Sequence, residues 1–149
     1  MPAPWRRRQS EVRNVDLPRA FADAIIQHAR EDDPNECCGV LAGKDGAVVK
    51  HYRMSNVSPE GERPYRYSTD GKELLKVINE TDDNGWEILA FYHSHTHSPA
   101  MPSQADVRLA TWPTSYYMIV SLMDKARPAI RAYHIIDGKV TEEPVRIVA

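Results

Sequence analysis

Cysteine is nearly missing from this chain: Cys37 and Cys38 are the two present, and they are neighbours. Vicinal thiols close no useful loop, which excludes a disulfide framework, and there is no CxxC pair to build a structural zinc site. Both therefore read as small buried hydrophobes. Long apolar runs are also lacking. Nothing approaches the roughly 20 residues that a membrane-spanning helix needs, and the start has no apolar signal segment. Net charge is scarce as well. At a formal −2, no broad field favours nucleic acid or an acidic membrane. The one basic cluster, Arg6-Arg7-Arg8, reads as part of a solvated tail. These absences lead us to expect a cytoplasmic protein that handles neither nucleic acid nor lipid.

What is present is the composition of a folded domain. Hydrophobic residues make up 42% and charged residues 27% of the 149, a balance that disordered chains do not show. This length suits one domain, over residues 11–149, behind a flexible tail at 1–10. Val12 to Asp16 reads as a first strand. Pro18 suits the first turn of a helix that carries Phe21, Ala24, Ile25 and His28 on one face, and Pro34 stops it. Glu36 to Ala42 and Ala47 to Met54 form a hairpin across Gly43-Lys44-Asp45-Gly46. A polar loop follows, then a short edge strand at Tyr65 to Tyr67. Asp70 caps a helix through about Thr81 with Leu74, Leu75 and Ile78 as its buried stripe, and Asp83-Asn84-Gly85 closes it. Trp86 to His93 reads as a central strand. A short helix from Ser103 and three further strands, Tyr116 to Met123, Ala129 to Ile136 and Val140 to Val148, complete the chain. Antiparallel strands with helices packed on them give an α+β or αβα-type domain.

Chemistry concentrates in Phe91-Tyr92-His93-Ser94-His95 and the loop that follows. Residues two apart on a strand project to one face, so His93 and His95 can close on one ion while Ser94 points away. Asp106, on the first turn of the next helix, can supply a third, anionic ligand. Two imidazoles and a carboxylate leave a tetrahedral position open for water, the mark of catalytic rather than structural zinc. Ser103 begins that helix, so its hydroxyl and the nearby amides face the place where negative charge would develop. Ser103-x-x-Asp106 is also an ordinary capping box, and the two roles are compatible. His97 continues the histidine alternation and could complete an all-histidine set. The nearby Ser98-Pro99 turn argues instead for a loop residue at the cleft mouth. His28, His51 and His134 read as structural or solvent-facing.

The spacing His93-x-His95, seven residues, Ser103, two residues, Asp106 resembles the motif of the JAMM (MPN+) metalloproteases. Pro34-Asn35-Glu36-Cys37-Cys38-Gly39-Val40-Leu41-Ala42-Gly43 resembles the glutamate segment that this family places upstream. The resemblance implies an α/β sandwich, cytidine-deaminase-like, around a curved and largely antiparallel sheet. It implies that His93, His95 and Asp106 bind one Zn²⁺, that Glu36 is the general acid/base, and that Ser103 steadies the tetrahedral intermediate. It further implies a metallopeptidase.

Among the compact bacterial members, Glu36 to Gly43, Tyr92 to Asp106 and Ile136 to Val145 are similar to peptidases that free cysteine from a sulfur-carrier protein. The expected partner is therefore a small ubiquitin-like or sulfur-carrier protein with a C-terminal Gly-Gly tail. Residues 55 to 68 are a candidate flank for that tail, which would bind by adding a strand to a sheet edge. An isopeptidase for another ubiquitin-like modifier and a non-catalytic MPN interaction module are the competing readings. A zinc nucleoside deaminase is excluded, since it needs an H-x-E and a later P-C-x-x-C.

Overall fold

The computed structural model describes residues 14–149. The expected tail at residues 1–10, with its arginine cluster, and the start of the expected first strand lie outside the described residues. In chain order, β1 (Val15–Pro18) leads into α1 (Arg19–Asp32), and β2 (Cys38–Lys44) pairs with β3 (Ala47–Met54). A 3-10 turn at Glu60–Glu62 precedes α2 (Gly71–Asn84), β4 (Glu87–His95) and α3 (Gln104–Leu109). Four strands finish the chain: β5 (Tyr116–Ser121), β6 (Ala129–Ile136), β7 (Lys139–Glu143) and β8 (Val145–Val148).

Six strands form one sheet in the order β3-β2-β4-β5-β6-β7, and β1 with β8 forms a separate pair. All pairings in the large sheet are antiparallel except β4 with β5. The result is a mixed α/β domain on a largely antiparallel sheet, as expected. Among the described residues, no helix is long and apolar enough to cross a membrane.

The central strands are apolar on both faces because both faces are covered. Along β4, Ala90 and Tyr92 enter a core with Leu17 and Ile25 from the β1–α1 side, together with Leu41 and Met118. Phe91 enters the opposite core, with Val77 of α2 and with Val40, Ile119 and Tyr133. Leu17, Ile25, Leu41 and Met118 are fully buried. Each such side chain contributes about 1.5–3 kcal/mol. His93 and His95 continue the alternation of Phe91, so they stand on the α2 face at the carboxyl end of β4.

Several expectations shift. α2 runs to Asn84, where Gly85 at φ 68° takes the left-handed conformation that ends it. Its buried residues are Val77 and Thr81, with Leu74 packed beside them. Leu75 lies about a quarter-turn away and is 57% exposed. Asp70 stands at the N-cap but makes no side-chain cap bond. On α1 the buried residues are Ala22, Ile25, His28 and Ala29; Phe21 of the expected face packs against the same core half-buried, and Ala24 is half-buried. Tyr65 to Tyr67 is not a strand, and the one bridge nearby joins Asn56 to Thr69. The expected last strand is broken in two at Pro144, which has no N–H to give a ladder and whose carbonyl instead accepts from Val15 N–H at 2.8 Å.

Beneath β4 lies a polar network. The Tyr92 hydroxyl stands 2.6 Å from both His28 Nδ1 and His51 Nε2. Burial pushes the His28 imidazole below its ordinary value, and burial, with His28 and Arg53 nearby, pushes His51 down to about 4. Both rings are thus neutral at pH 7. The Tyr92 ring fits only because residue 39 is glycine: a Cβ there would stand 2.3 Å from Tyr92 Cε1 and 2.4 Å from the Tyr52 carbonyl. Gly39→Ala should lower stability by at least about 1–3 kcal/mol, the usual range for overpacking. Urea unfolding of that variant against wild type checks this, and an unchanged midpoint would show that Tyr92 can move aside.

Candidate metal centre

α3 starts on a complete capping box. Ser103 Oγ accepts from Asp106 N–H at 3.1 Å, and Asp106 Oδ2 accepts from Ser103 N–H at 2.9 Å. The same carboxylate oxygen lies 3.2 Å from His93 Nε2 and 3.1 Å from His95 Nε2, and the two nitrogens are 3.1 Å apart. Three donor atoms from a strand end and the following helix therefore form a nearly equilateral triangle. Bonds of about 2.0–2.1 Å to one tetrahedral ion would set its ligand atoms about 3.3 Å apart, so the triangle has the size for a single ion such as zinc.

The tautomer of His95 suits a metal. His95 Nδ1–H donates to the Pro99 carbonyl at 2.9 Å, which leaves its Nε2 lone pair facing the triangle. Burial holds the His93 imidazole below its ordinary value and hence neutral. Burial alone would raise Asp106, but the two imidazoles beside it overcome burial and keep this carboxylate ionised well below the usual range. Burial likewise opposes the charge on His95, and Asp106 with the Pro99 carbonyl outweighs it and raises that imidazole in the metal-free protein. A bound metal would displace the proton that His95 and Asp106 share, leaving two neutral nitrogens and one anionic oxygen as a suitable ligand set. Tyr67 stacks on His93, with ring centroids 4.5 Å apart and planes inclined by 23°, and so limits rotation of that ring.

Glu36 lies beside the triangle, 5% exposed, and one of its carboxylate oxygens is within 4.8 Å of nitrogens of both His93 and His95. Burial pushes this carboxyl up to about 8; His95 opposes the shift and the negative charge of Asp106 adds to it. Expected at the start of a strand, Glu36 instead precedes β2 by two residues. Its neighbour ties it to β4: Cys37 N–H donates to Ser94 Oγ at 2.8 Å, and Ser94 N–H donates to the Cys37 carbonyl at 3.1 Å. Ser94 thus engages the segment that leads into β2 rather than the triangle. Both cysteines are free and buried.

His97 does not join the cluster. It is exposed, with Nδ1 2.7 Å from Thr96 Oγ1, so the all-histidine set does not form. His28 belongs to the Tyr92 network, and His134 pairs with Glu143 at 3.2 Å. A cavity of about 450 Å³ opens beside Ser103 and Asp106, between Tyr65, Arg66 and Tyr67 on one side and Leu109 and Trp112 on the other. That volume falls within the roughly 300–1,000 Å³ of ligand sites. A larger cavity, about 820 Å³, lies at the amino end of β4 and touches none of these donors. Three contributors escaped the sequence reading: the Pro99 carbonyl, the stack of Tyr67 on His93, and Asn56, which contacts the Glu36 backbone at 2.9 Å. Nothing distinguishes an asparagine in a polar loop from its neighbours until the loop is folded.

Comparison with known proteins places this site in context. Residues 18–136 match the model for prokaryotic homologs of the JAB domain. The chain is 44% identical over 130 residues to the CysO-cysteine peptidase of Mycobacterium tuberculosis, covering 86% of this chain and 87% of that one. It is 38% identical over 105 residues to the desampylase of Haloferax volcanii, covering 66% and 74%. The solution structure of a protein from Desulfitobacterium hafniense superposes with a TM-score of 0.78 at 32% identity, over 89% and 92% of the two chains.

The raised Glu36 value sets a sign for stability without metal. Below about 4.5 the carboxyl is protonated in both states and its contribution is whole; that contribution is lost as pH rises through about 8, where the native state must ionise a buried acid. In chelator, Glu36→Gln should therefore unfold at higher urea than wild type at pH 9, with the gap closing toward pH 5. A gap independent of pH would contradict this.

Proposed function

Since the chain belongs to the family of prokaryotic JAB-domain homologs, we propose that its donor triangle holds zinc for cleavage of small protein-modifier conjugates. The chain is a peptidase of that family. Its substrate is a small ubiquitin-like or sulfur-carrier protein, the bond cut is the amide after the C-terminal glycine, and the residue released is cysteine. The observation that carries this reading is a buried carboxylate, Glu36, set against a three-donor triangle. A non-catalytic module of the same fold would need neither. The 44% identity to a CysO-cysteine peptidase supports the choice of carrier, and the similarity to a desampylase supports deconjugation of another modifier as the second reading.

His93 Nε2, His95 Nε2 and one oxygen of Asp106 would hold the ion. When bound, zinc would act as a Lewis acid and bring the pKa of water to about 7. Glu36 takes the proton from the attacking water and delivers it to the departing amine. Burial raises this carboxyl in the metal-free protein, and a bound cation would oppose that rise and favour the ionised form a base needs. The Ser103 hydroxyl acts as acceptor within the cap, so its own proton is left to donate to the oxyanion. The cavity between Tyr67 and Trp112 receives the extended tail and excludes water around it.

The test is to incubate the protein with a carrier–cysteine adduct and with Gly-Gly-linked carrier fusions, and to read the products by mass. Wild type should release cysteine, chelation should abolish the reaction, and added zinc should restore it. Glu36→Gln should bind zinc as wild type does and lose about 10²–10⁴ of its turnover. A fully active Glu36→Gln variant would remove Glu36 from the mechanism, and cleavage of the fusions alone would select the second reading.

A further inference from the structure

The sheet places neither backbone group of Glu36. β2 begins two residues later, so the segment from Ser55 to Thr69 does this instead. Glu36 N–H donates to the Arg63 carbonyl at 2.8 Å, and its carbonyl accepts from Asn56 Nδ2 at 2.9 Å. Asn56 is the knot of that segment. Nδ2 donates a second bond to the Arg66 carbonyl at 2.9 Å, while Oδ1 accepts from Ser58 N–H at 3.1 Å and Ser68 N–H at 3.3 Å. An asparagine side chain has two N–H donors and an oxygen with two lone pairs, and all four are used here. One amide thus ties both limbs of the loop to each other and to residue 36. The limbs also meet through Val57 N–H and the Ser68 carbonyl at 2.9 Å. At the base, Ser55 N–H and Oγ each lie 2.8 Å from the Glu73 carboxylate on α2. The loop is braced at both ends.

We propose that Asn56 is a positioning residue for the reaction: its side-chain amide transmits the rigidity of the 55–69 loop to the backbone of Glu36 and so aims the Glu36 carboxylate. This rests on the role given to Glu36 above. A base that serves both water and leaving amine tolerates little error, because a displacement of about 1 Å can cost on the order of 10²-fold in rate. Glu36 lacks the ladder bonds that would otherwise hold it, and the Asn56 amide replaces one of them. The same loop walls the cavity through Tyr65, Arg66 and Tyr67. Asn56 thereby links the wall that meets substrate to the acid that acts on it.

Two variants separate aiming from mere stapling. Asn56→Asp keeps the acceptors for Ser58 and Ser68 but turns an oxygen toward the Glu36 and Arg66 carbonyls; Asn56→Ala removes all four bonds. With zinc loaded, both should lose at least about tenfold in kcat, with KM and zinc affinity within about threefold of wild type. Hydrogen exchange supplies a readout free of any substrate: the Glu36 amide should lose protection in Asn56→Asp, while the amides of β2 and β4 keep theirs. A kcat within twofold of wild type in both variants would overturn the proposal. So would a loss that merely follows zinc affinity or melting temperature, or a Glu36 amide that stays protected. If wild type cleaves none of the adducts, the proposed function fails, and the exchange experiment still decides the placement of Glu36.

Discussion

A single carboxylate oxygen, Asp106 Oδ2, accepts from the Ser103 amide while it faces two imidazole nitrogens at 3.1–3.2 Å. Much of the surrounding structure keeps it there. The capping box fixes the side chain to the start of α3, and a carboxylate in a first turn also suits the positive end of the helix. Capping and metal binding are usually read as rival explanations for an S-x-x-D pattern. Here one geometry serves both, since the helix terminus that needs an acceptor also aims that acceptor at the end of β4.

The opposite side of β4 is as constrained as the side that carries the donors. The Tyr92 hydroxyl has one proton for two imidazoles, so one ring must donate to it and the other accept from it. His28 Nε2 lies 3.4 Å from Asp32 Oδ2, which favours an N–H there and leaves Nδ1 to accept from Tyr92. His51 Nε2–H then donates to the Tyr92 oxygen. The Tyr92 hydroxyl and the two ring nitrogens that face it are thus paired without a buried charge. Tyr92 precedes His93 in the same strand, so α1, β3 and β4 are locked together one residue from the donors.

What the sequence reveals and what it hides divide along a physical line. His93, His95, Ser103 and Asp106 are legible because strand alternation and the first helical turn are local geometry, and local geometry depends on spacing alone. The hairpin across Asp45-Gly46 is legible for the same reason: both residues adopt the positive φ that the turn demands. The phase of α2 is not, because Leu74, Leu75 and Ile78 offer competing stripes and only the sheet beneath selects Leu74 with Val77. Pro144 is itself a breaker within Val140 to Val148, but the destination of the second half is hidden, since its partner, β1, lies at the other end of the described residues. Glu36 is intermediate. Its type and place in the chain resemble a family pattern, but its burial and the loop that holds it are tertiary facts.

The parallel pairing of β1 with β8 joins Val15 to Val145 and Leu17 to Ile147. A contact between residues so far apart in sequence closes the segment from Val15 to Val145 into one ring, and its entropic penalty is met most easily after other contacts have shortened the path. The six-stranded sheet is complete at Glu143, before β8 begins. The four-residue β8 acts as a fastener: by clasping β1 it seals the α1 layer against a sheet whose six strands pair without it.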